Sequence, residues 1–333
     1  MRVGKRLLVL FAALALLLGI LPSGFSEEKA LYTAVTADDC FFREQPTETA
    51  KMVTRVPKGK TIELLRVDPE WALARYAGKT GYVVRTQFYK VAAIDPVNTP
   101  PYGVFKHTFM AVAAGITPVL HAPQADAEAV MTLTEGAKVS ILDITDGWAR
   151  VPFRREYAYI DTRNLKELTP VSATDTPRSG ETPIAAFTSY YKVVQTKDNK
   201  GRMNNIHVAC ERLSRVIEPG EVLDFNAHIG PYNRKIGYME APILADGGTK
   251  LGYGGGTCQV SSTLYNTIMQ LPHITVLRRV PHGPGGIYYL PHGMDAAVGN
   301  DTQNLRFQND YDFPLRVEAS AQDGALFICI WKQ

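Results

Sequence analysis

Displaced by 77 positions, residues 41–88 meet their own pattern again without a gap. Pro46 falls on Pro123, Val53 on Val130, Gly59 on Gly136, Ile62 on Val139, Trp71 on Trp148, and Tyr82-Val83 on Tyr159-Ile160. Self-similarity at a fixed period means one small unit built twice, and this organises the first half of the chain. Each copy reads as short alternating strands separated by turns, KTIELLRV and WALARYAG in the first, AKVSILDI and WARVPF in the second.

Units of about 60 residues with a glycine turn, a central tryptophan and a G-Y-V ending are small barrels. They resemble bacterial SH3-like domains. The first copy (W…GKTGYVV) fits best, and the second departs from it with REYAYI where the glycine stands. The resemblance implies wall-binding modules over 30–91 and 104–168, with peptidoglycan as partner and targeting as their task. Trp71, Tyr82, Trp148 and Tyr159 are the candidate wall-contacting aromatics. Trp71 and Trp148 read equally as residues that fill the core and rim of a small barrel.

Composition marks two linkers. Residues 92–103 (AAIDPVNTPPYG) separate the copies, and residues 169–183 (TPVSATDTPRSGETP) separate the second copy from the C-terminal half of the chain. Beyond 183 the pattern becomes mixed. Ala185 to Val194 reads as a strand. Asn204 to Ile217 carries Ile206, Ala209, Cys210, Leu213 and Ile217 at helical spacing. Short extended segments are expected at Glu221 to Phe225, Pro242 to Leu244, Ile274 to Arg279 and Ile287 to Leu290. Three β-rich stretches close the chain, with Asp323-Gly324 as a hairpin turn. The predicted fold is multidomain, two all-β small barrels followed by an α+β domain over 184–333 with few helices and a mostly antiparallel sheet.

The N-terminal segment reads differently. Arg2, Lys5 and Arg6 precede an unbroken apolar run from Leu7 to Leu21, and Gly24-Phe25-Ser26 supplies small residues before a cleavage point. This is the pattern of a secretory signal peptide over 1–26. Fifteen apolar residues are short for an uncleaved anchor, since a span needs about 20. No cysteine follows the run, which excludes a lipoprotein anchor. The protein is thus expected to be exported, extracellular or cell-wall associated (periplasmic in a diderm), with no stable membrane span after cleavage. The chain carries 36 Lys and Arg against 33 Asp and Glu, and losing the three basic residues of the leader leaves 33 of each sign. A neutral chain has no basic field for nucleic acid or anionic lipid.

Four cysteines, Cys40, Cys210, Cys258 and Cys329, permit one or two disulfides in an exported chain. Their spacings match no zinc motif. His207-x-x-Cys210 is half a metal site at most, and Cys210 falls on the apolar stripe of its helix. No metal or other cofactor is expected.

Cys258 is set apart by its surroundings. It stands in YGGGTCQVSST, behind three consecutive glycines and at the start of a helix over Gln259 to Leu271, with Thr257 as N-cap. Unpaired N–H groups and the positive end of the helix dipole favour an anion there, which makes Cys258 a candidate nucleophile. Glycines let backbone amides approach a substrate carbonyl. The same string also fits a tight turn whose cysteine packs inward. A base is at hand in RVPHGPGGIYYLPHGMDAAV: His282 first, His292 as the alternative, with Asp295 to orient the imidazole.

PGEVLDFNAHIGP, GYMEAPI, GGGTCQVSSTLYN, the H…YYLPHGMDA segment and LRFQNDYDFPLRV occur in that order. Together they resemble the VanW family from about Asn204 to Glu318. The resemblance implies an exported domain carried beside wall-binding modules and linked by name to glycopeptide-antibiotic resistance. That points to peptidoglycan or its precursors. It marks Gly254, Gly255, Gly256, Thr257, Cys258, Gln259, Ser261, Ser262, Glu240, His282 and Asp295 as motif positions. Two readings are open. In one, Cys258 with His282 and Asp295 hydrolyses or transfers peptidoglycan peptides through a thioester, with the remaining motif residues binding substrate. In the other, the domain is a non-catalytic wall-binding or scaffold protein with a structural Cys258. A redox role is disfavoured by the lack of a C-x-x-C pair.

Overall fold

The computed structural model describes residues 29–333 apart from 69–70, 96–98, 100–101, 103–104, 155, 176, 178–181, 246–247, 283–286 and 291–293. The leader over 1–26 lies outside the described residues. Among those described, no helix is long and apolar enough to cross a membrane.

The first unit contains β1 (Tyr32–Thr36), β2 (Cys40–Arg43), β3 (Met52–Val56), β4 (Thr61–Val67), β5 (Trp71–Tyr76), β6 (Lys79–Val84) and β7 (Phe88–Ala93) in one sheet of order β3-β2-β6-β5-β4-β1-β7. Alternate residues such as Phe42, Leu64, Ala74 and Val83 fill its core, as the period of two requires. The second unit contains β8 (Phe109–Ala113), β9 (Thr117–Leu120), β10 (Ala129–Leu133), β11 (Lys138–Ile141), β12 (Asp143–Thr145), β13 (Trp148–Phe153), β14 (Glu156–Asp161) and β15 (Leu165–Pro170). Both ends of β1, β2, β3, β5, β6 and β7 reappear 77 positions later. The counterpart of β4 is interrupted at Leu142, so the second unit divides into β10-β9-β14-β13-β12 and β11-β8-β15. Left-handed residues repeat too: Gly59 with Gly136, Ala77 with Arg154, Lys90 with Glu167.

The last strand of each unit outruns its expected boundary by two residues, to Ala93 and Pro170. Pro170 is tolerated because β15 is an edge strand, where a missing N–H removes no ladder bond. Val171 is then buried beside Ala186, Phe327 and Cys329, so the segment read as a linker begins as packed structure.

The C-terminal domain comprises β16 (Ala185–Tyr190), α1 (Lys197–Leu213), β17 (Arg215–Ile217), β18 (Val222–Asp224), α2 (Phe225–Ile229), β19 (Glu240–Ala245), β20 (Gly248–Tyr253), α3 (Thr257–Ile268), β21 (Ile274–Arg278), β22 (Arg306–Asn309), β23 (Leu315–Gln322) and β24 (Ala325–Lys332). Its sheets are β16-β24-β23-β17, β18-β22-β21 and the hairpin β19-β20. All described strand pairings are antiparallel. The domain is α+β, as expected. Helix α1 begins earlier than its apolar stripe, where the Thr196 side chain accepts from Asn199 N. It stops at Leu213 because Val216 and Ile217 pair with β23 instead. The first strand ends at Tyr190 rather than Val194, and Ile287 to Leu290 forms no strand.

The four-stranded sheet is covered on both faces. Leu326, Ile328 and Ile330 of β24 join α1 and α3 in the main core. Phe327 and Cys329, pointing the other way, pack with Ala186, Val171 and Met110. All six residues of β16 are buried. Tyr190 and Ala325 belong to the core cluster of the second unit, and Ser140 N donates to Thr188 Oγ1 across the junction at 2.8 Å. The second unit is therefore the back layer of the C-terminal domain.

Candidate active site

The loop before α3 explains its glycines by packing. Gly254 (φ +86°) and Gly256 (φ +111°) adopt left-handed backbone that side chains rarely take. Gly255 has ordinary φ, but a Cβ there would stand 2.5 Å from Pro242 O and 2.9 Å from Ala241 Cβ. The Asn205 amide holds the loop from α1, donating to Gly255 O (3.0 Å) and Met239 O (2.9 Å). Gly254 and Gly255 are buried. The glycines let α1, the β19-β20 hairpin and α3 approach closely. Gly256, not Thr257, is the N-cap. Thr257 begins the helix and turns its hydroxyl back to Gly254 O at 2.8 Å.

This geometry leaves Cys258 half-buried in the first turn of α3, beside the extended segment 294–298. Its Sγ contacts the backbone of Val298, at 3.4 Å from O and 3.5 Å from N. The segment is gripped by α3 along its length. Ser261 Oγ donates to Ala296 O (2.6 Å), Ser262 Oγ accepts from Ala296 N (2.9 Å), and Asn266 Nδ2 donates to Met294 O (2.6 Å). Gln259 Nε2 donates to Ser189 Oγ and Tyr190 O while its Oε1 accepts from Arg202. Gln259, Ser261 and Ser262 are buried with these bonds made, so their assignment to substrate binding is corrected to a holding role.

The grip fixes Asp295 against His282. Asp295 Oδ2 accepts from His282 N at 2.5 Å and from Nδ1–H at 2.6 Å, so Nε2 is the ring nitrogen not engaged by the carboxylate. Arg279, which carries no signal in the sequence, donates Nε to Asp295 O (2.7 Å) and reaches Oδ1 at 3.3 Å. Burial acts to lower the basicity of His282. The hydrogen bonds to Asp295 and Cys258 outweigh it and push the imidazole up to about 9. Burial likewise acts to raise Asp295, but the bonds from His282 and the charge of Arg279 hold the carboxyl below its usual range. Tyr289 is a second residue that sequence reasoning misses. It is buried within electrostatic reach of Cys258, burial pushes its phenol up, and its hydroxyl, near Ser262, makes no hydrogen bond of good geometry. Both residues are recognisable only after the chain folds.

The other sequence candidates lie elsewhere. Glu240 is exposed at the start of β19, opposite Tyr253. His292 is outside the described residues. Trp71, Tyr82, Trp148 and Tyr159 are half-buried in their strands, and Tyr82 OH accepts from Arg66 at 2.8 Å. All four cysteines are free, and the disulfides that their number permits are not formed: Cys40, Cys210 and Cys329 are buried in three separate cores. Burial raises all three thiols, Cys40 and Cys329 to about 11. Among the described residues no cluster of His, Cys, Asp or Glu suits a metal ion.

The site thus places a half-buried cysteine at a helix N-terminus beside an imidazole and a carboxylate, in an α+β domain. Residues 201–331 match the family model described as VanW like protein, so the chain carries a VanW-like domain there. It is 34% identical over 149 residues to "Uncharacterized protein YoaR" of Bacillus subtilis (strain 168), covering 44% of this chain and 47% of that one. The chain thus spans about half the length of that relative. Two solved structures overlap it weakly. NlpC2 from Trichomonas vaginalis is 12% identical with a TM-score of 0.18, over 56% of this chain and 57% of that one. An NlpC/P60 family protein from Bacillus cereus is 10% identical with a TM-score of 0.17, over 89% and 93%. Likenesses this low carry no argument here.

Proposed function

We propose that this protein is an exported, cell-wall-associated enzyme that acts on peptidoglycan peptides through Cys258. The observation that carries the chemistry is the alignment of Asp295, His282 and Cys258, with His282 Nδ1 committed to the carboxylate at 2.6 Å. The substrate class rests on what a VanW-like domain implies, together with the leader over 1–26 and the repeated β units, which we assign as SH3-like wall-binding modules.

In the proposed reaction the proton that leaves Cys258 is the one held on His282 Nε2, and Sγ bonds to the carbonyl carbon of a wall peptide. The carbonyl π pair moves onto oxygen, at the positive end of α3. As the intermediate collapses the C–N bond breaks and His282 returns the proton to the leaving amine. A thioester remains on Cys258. Water or a second amine then attacks it, His282 accepting the acceptor's proton and returning it to sulfur. Asp295 keeps the ring oriented and stabilises its cationic form. A role without chemistry would leave this alignment without a use.

The test is turnover of purified sacculi by the wild-type protein, Cys258→Ser and His282→Asn, with released peptides read by mass spectrometry. Both variants should lose about 100-fold or more. Equal release from all three would remove the proposal.

A further inference from the structure

The fused second unit and the C-terminal domain enclose a groove of about 430 Å³, walled by β10, Tyr190 to Val193 and Tyr288. Tyr288 lines it, and the next residue, Tyr289, is buried with Phe187 and with Met294, the residue before Asp295. Gln259, the residue after Cys258, holds Tyr190 O at 3.1 Å.

Two cations line this groove, Arg154 from the second unit and Lys192 from the C-terminal domain. Both are exposed, and neither forms an ion pair among the described residues. Asp323, the anion on the same wall, is engaged by Thr134 Oγ1 at 2.6 Å. Tyr190 supplies a further polar group: it is 3% exposed, and its hydroxyl has no hydrogen-bond partner. A buried phenol is rarely left unsatisfied without a use for it.

Arg154 is also costly where it stands. It occupies the tip of the β13–β14 hairpin at φ +57°, a left-handed conformation that disfavours side chains. The internal repeat supplies the comparison. The equivalent hairpin of the first unit, which faces no such groove, fills its tip with Ala77 (φ +47°) and Gly78 (φ +74°). The copy that borders the groove has an arginine at the same position. Ala77 bears the same left-handed backbone, so what is particular to the second copy is the arginine side chain, which places a charge at the groove.

We infer that this groove is the binding site for the acidic stem of the peptide substrate, with Arg154 and Lys192 pairing its carboxylates and Tyr190 hydrogen-bonding its backbone. The inference rests on the wall-peptide reading above and gives the second unit a direct part in recognition.

The test uses the full chain carrying Cys258→Ala and a disaccharide-tetrapeptide released from sacculi, titrated by calorimetry. A second titration uses the same muropeptide with its peptide carboxylates amidated. Amidation, Arg154→Gly and Lys192→Gln should each weaken binding about tenfold. Arg154→Gly should at the same time raise Tm, because glycine takes φ +57° freely, so lost affinity is not lost folding. Tyr190→Phe should also weaken binding without lowering Tm. Absent binding, binding indifferent to amidation, or an Arg154→Gly/Lys192→Gln double variant with wild-type affinity overturns the groove. Turnover separates the two readings. Carboxylate-dependent binding without wild-type turnover removes the Cys258 chemistry and keeps the groove, whereas turnover with unaltered affinity in the double variant does the reverse.

Discussion

Asp295 carries several demands at once: it accepts twice from His282, faces Arg279, and is held in place by the grip on Ala296 and Met294. Its ion pair with His282 makes stability depend on pH in a definite direction. The imidazole rises from 6.5 to about 9 on folding, so its contribution is complete below 6.5 and is lost as pH climbs through 9. The carboxyl is depressed from 3.8, so its contribution is complete above that value and lost as pH falls further. The Tm gap between wild type and Asp295→Asn should therefore be widest between about pH 4 and 6.5 and close toward pH 9; a gap that grows with pH contradicts the pairing. Chemical reactivity checks the same contact from the sulfur side. Iodoacetamide should modify half-buried Cys258 about 100-fold faster than Cys40, Cys210 or Cys329, and His282→Asn should slow it without changing exposure. Modification of Cys258 at the rate of the buried three would contradict its role.

At the scale of elements, α3 is legible as a helix from Val260, Leu264, Ile268 and the stop at Pro272, and Cys258 does fall in its first turn. The use of GGGTCQVSST is only half legible. Three glycines advertise a close approach, but their sequence neighbours do not say whether a substrate or another part of the chain approaches. Here Pro242 O and Ala241 occupy the space above Gly255. Gly255→Ala should cost about 1–3 kcal/mol in chemical denaturation. Gly248→Ala, which meets nothing within 4 Å, should change stability little. Equal effects would mean that the loop is not packed as described. Ser261 and Ser262 mislead for a similar reason. Polar residues on a helix face look like ligands for a substrate until a neighbouring segment, 35 residues away, takes their hydroxyls.

For the whole molecule, the repeat predicts two alike units and composition predicts flexible joints. The strands do recur at 77 residues, yet the second joint begins as packed chain. Deleting residues 27–95 uncovers Tyr102 and Phe105, which pack on Tyr32, Phe88 and Arg85, and should lower Tm of the remainder by a small amount. Extending the deletion to 170 uncovers Phe327, Cys329 and Ala186 on the back of the sheet, each large apolar side chain forfeiting about 1.5–3 kcal/mol of burial. The longer truncation should unfold or aggregate at a temperature where the shorter one is intact, as read by light scattering and circular dichroism. Identical melting of the two would mean that the second unit is only tethered.

Local pattern along the chain is enough to specify the repeat, the α+β character of the C-terminal domain, the helix behind Cys258 and the membership of His282 and Asp295 in one motif. Period, turn chemistry and spacing are properties of neighbouring residues, so they can be read before any fold is known. Only folding brings Arg279 to Asp295, commits the glycines to packing and sets Arg154 and Lys192 in one groove. Those contacts join residues tens of positions apart, and the burial that creates them exists only once both faces of one sheet are covered.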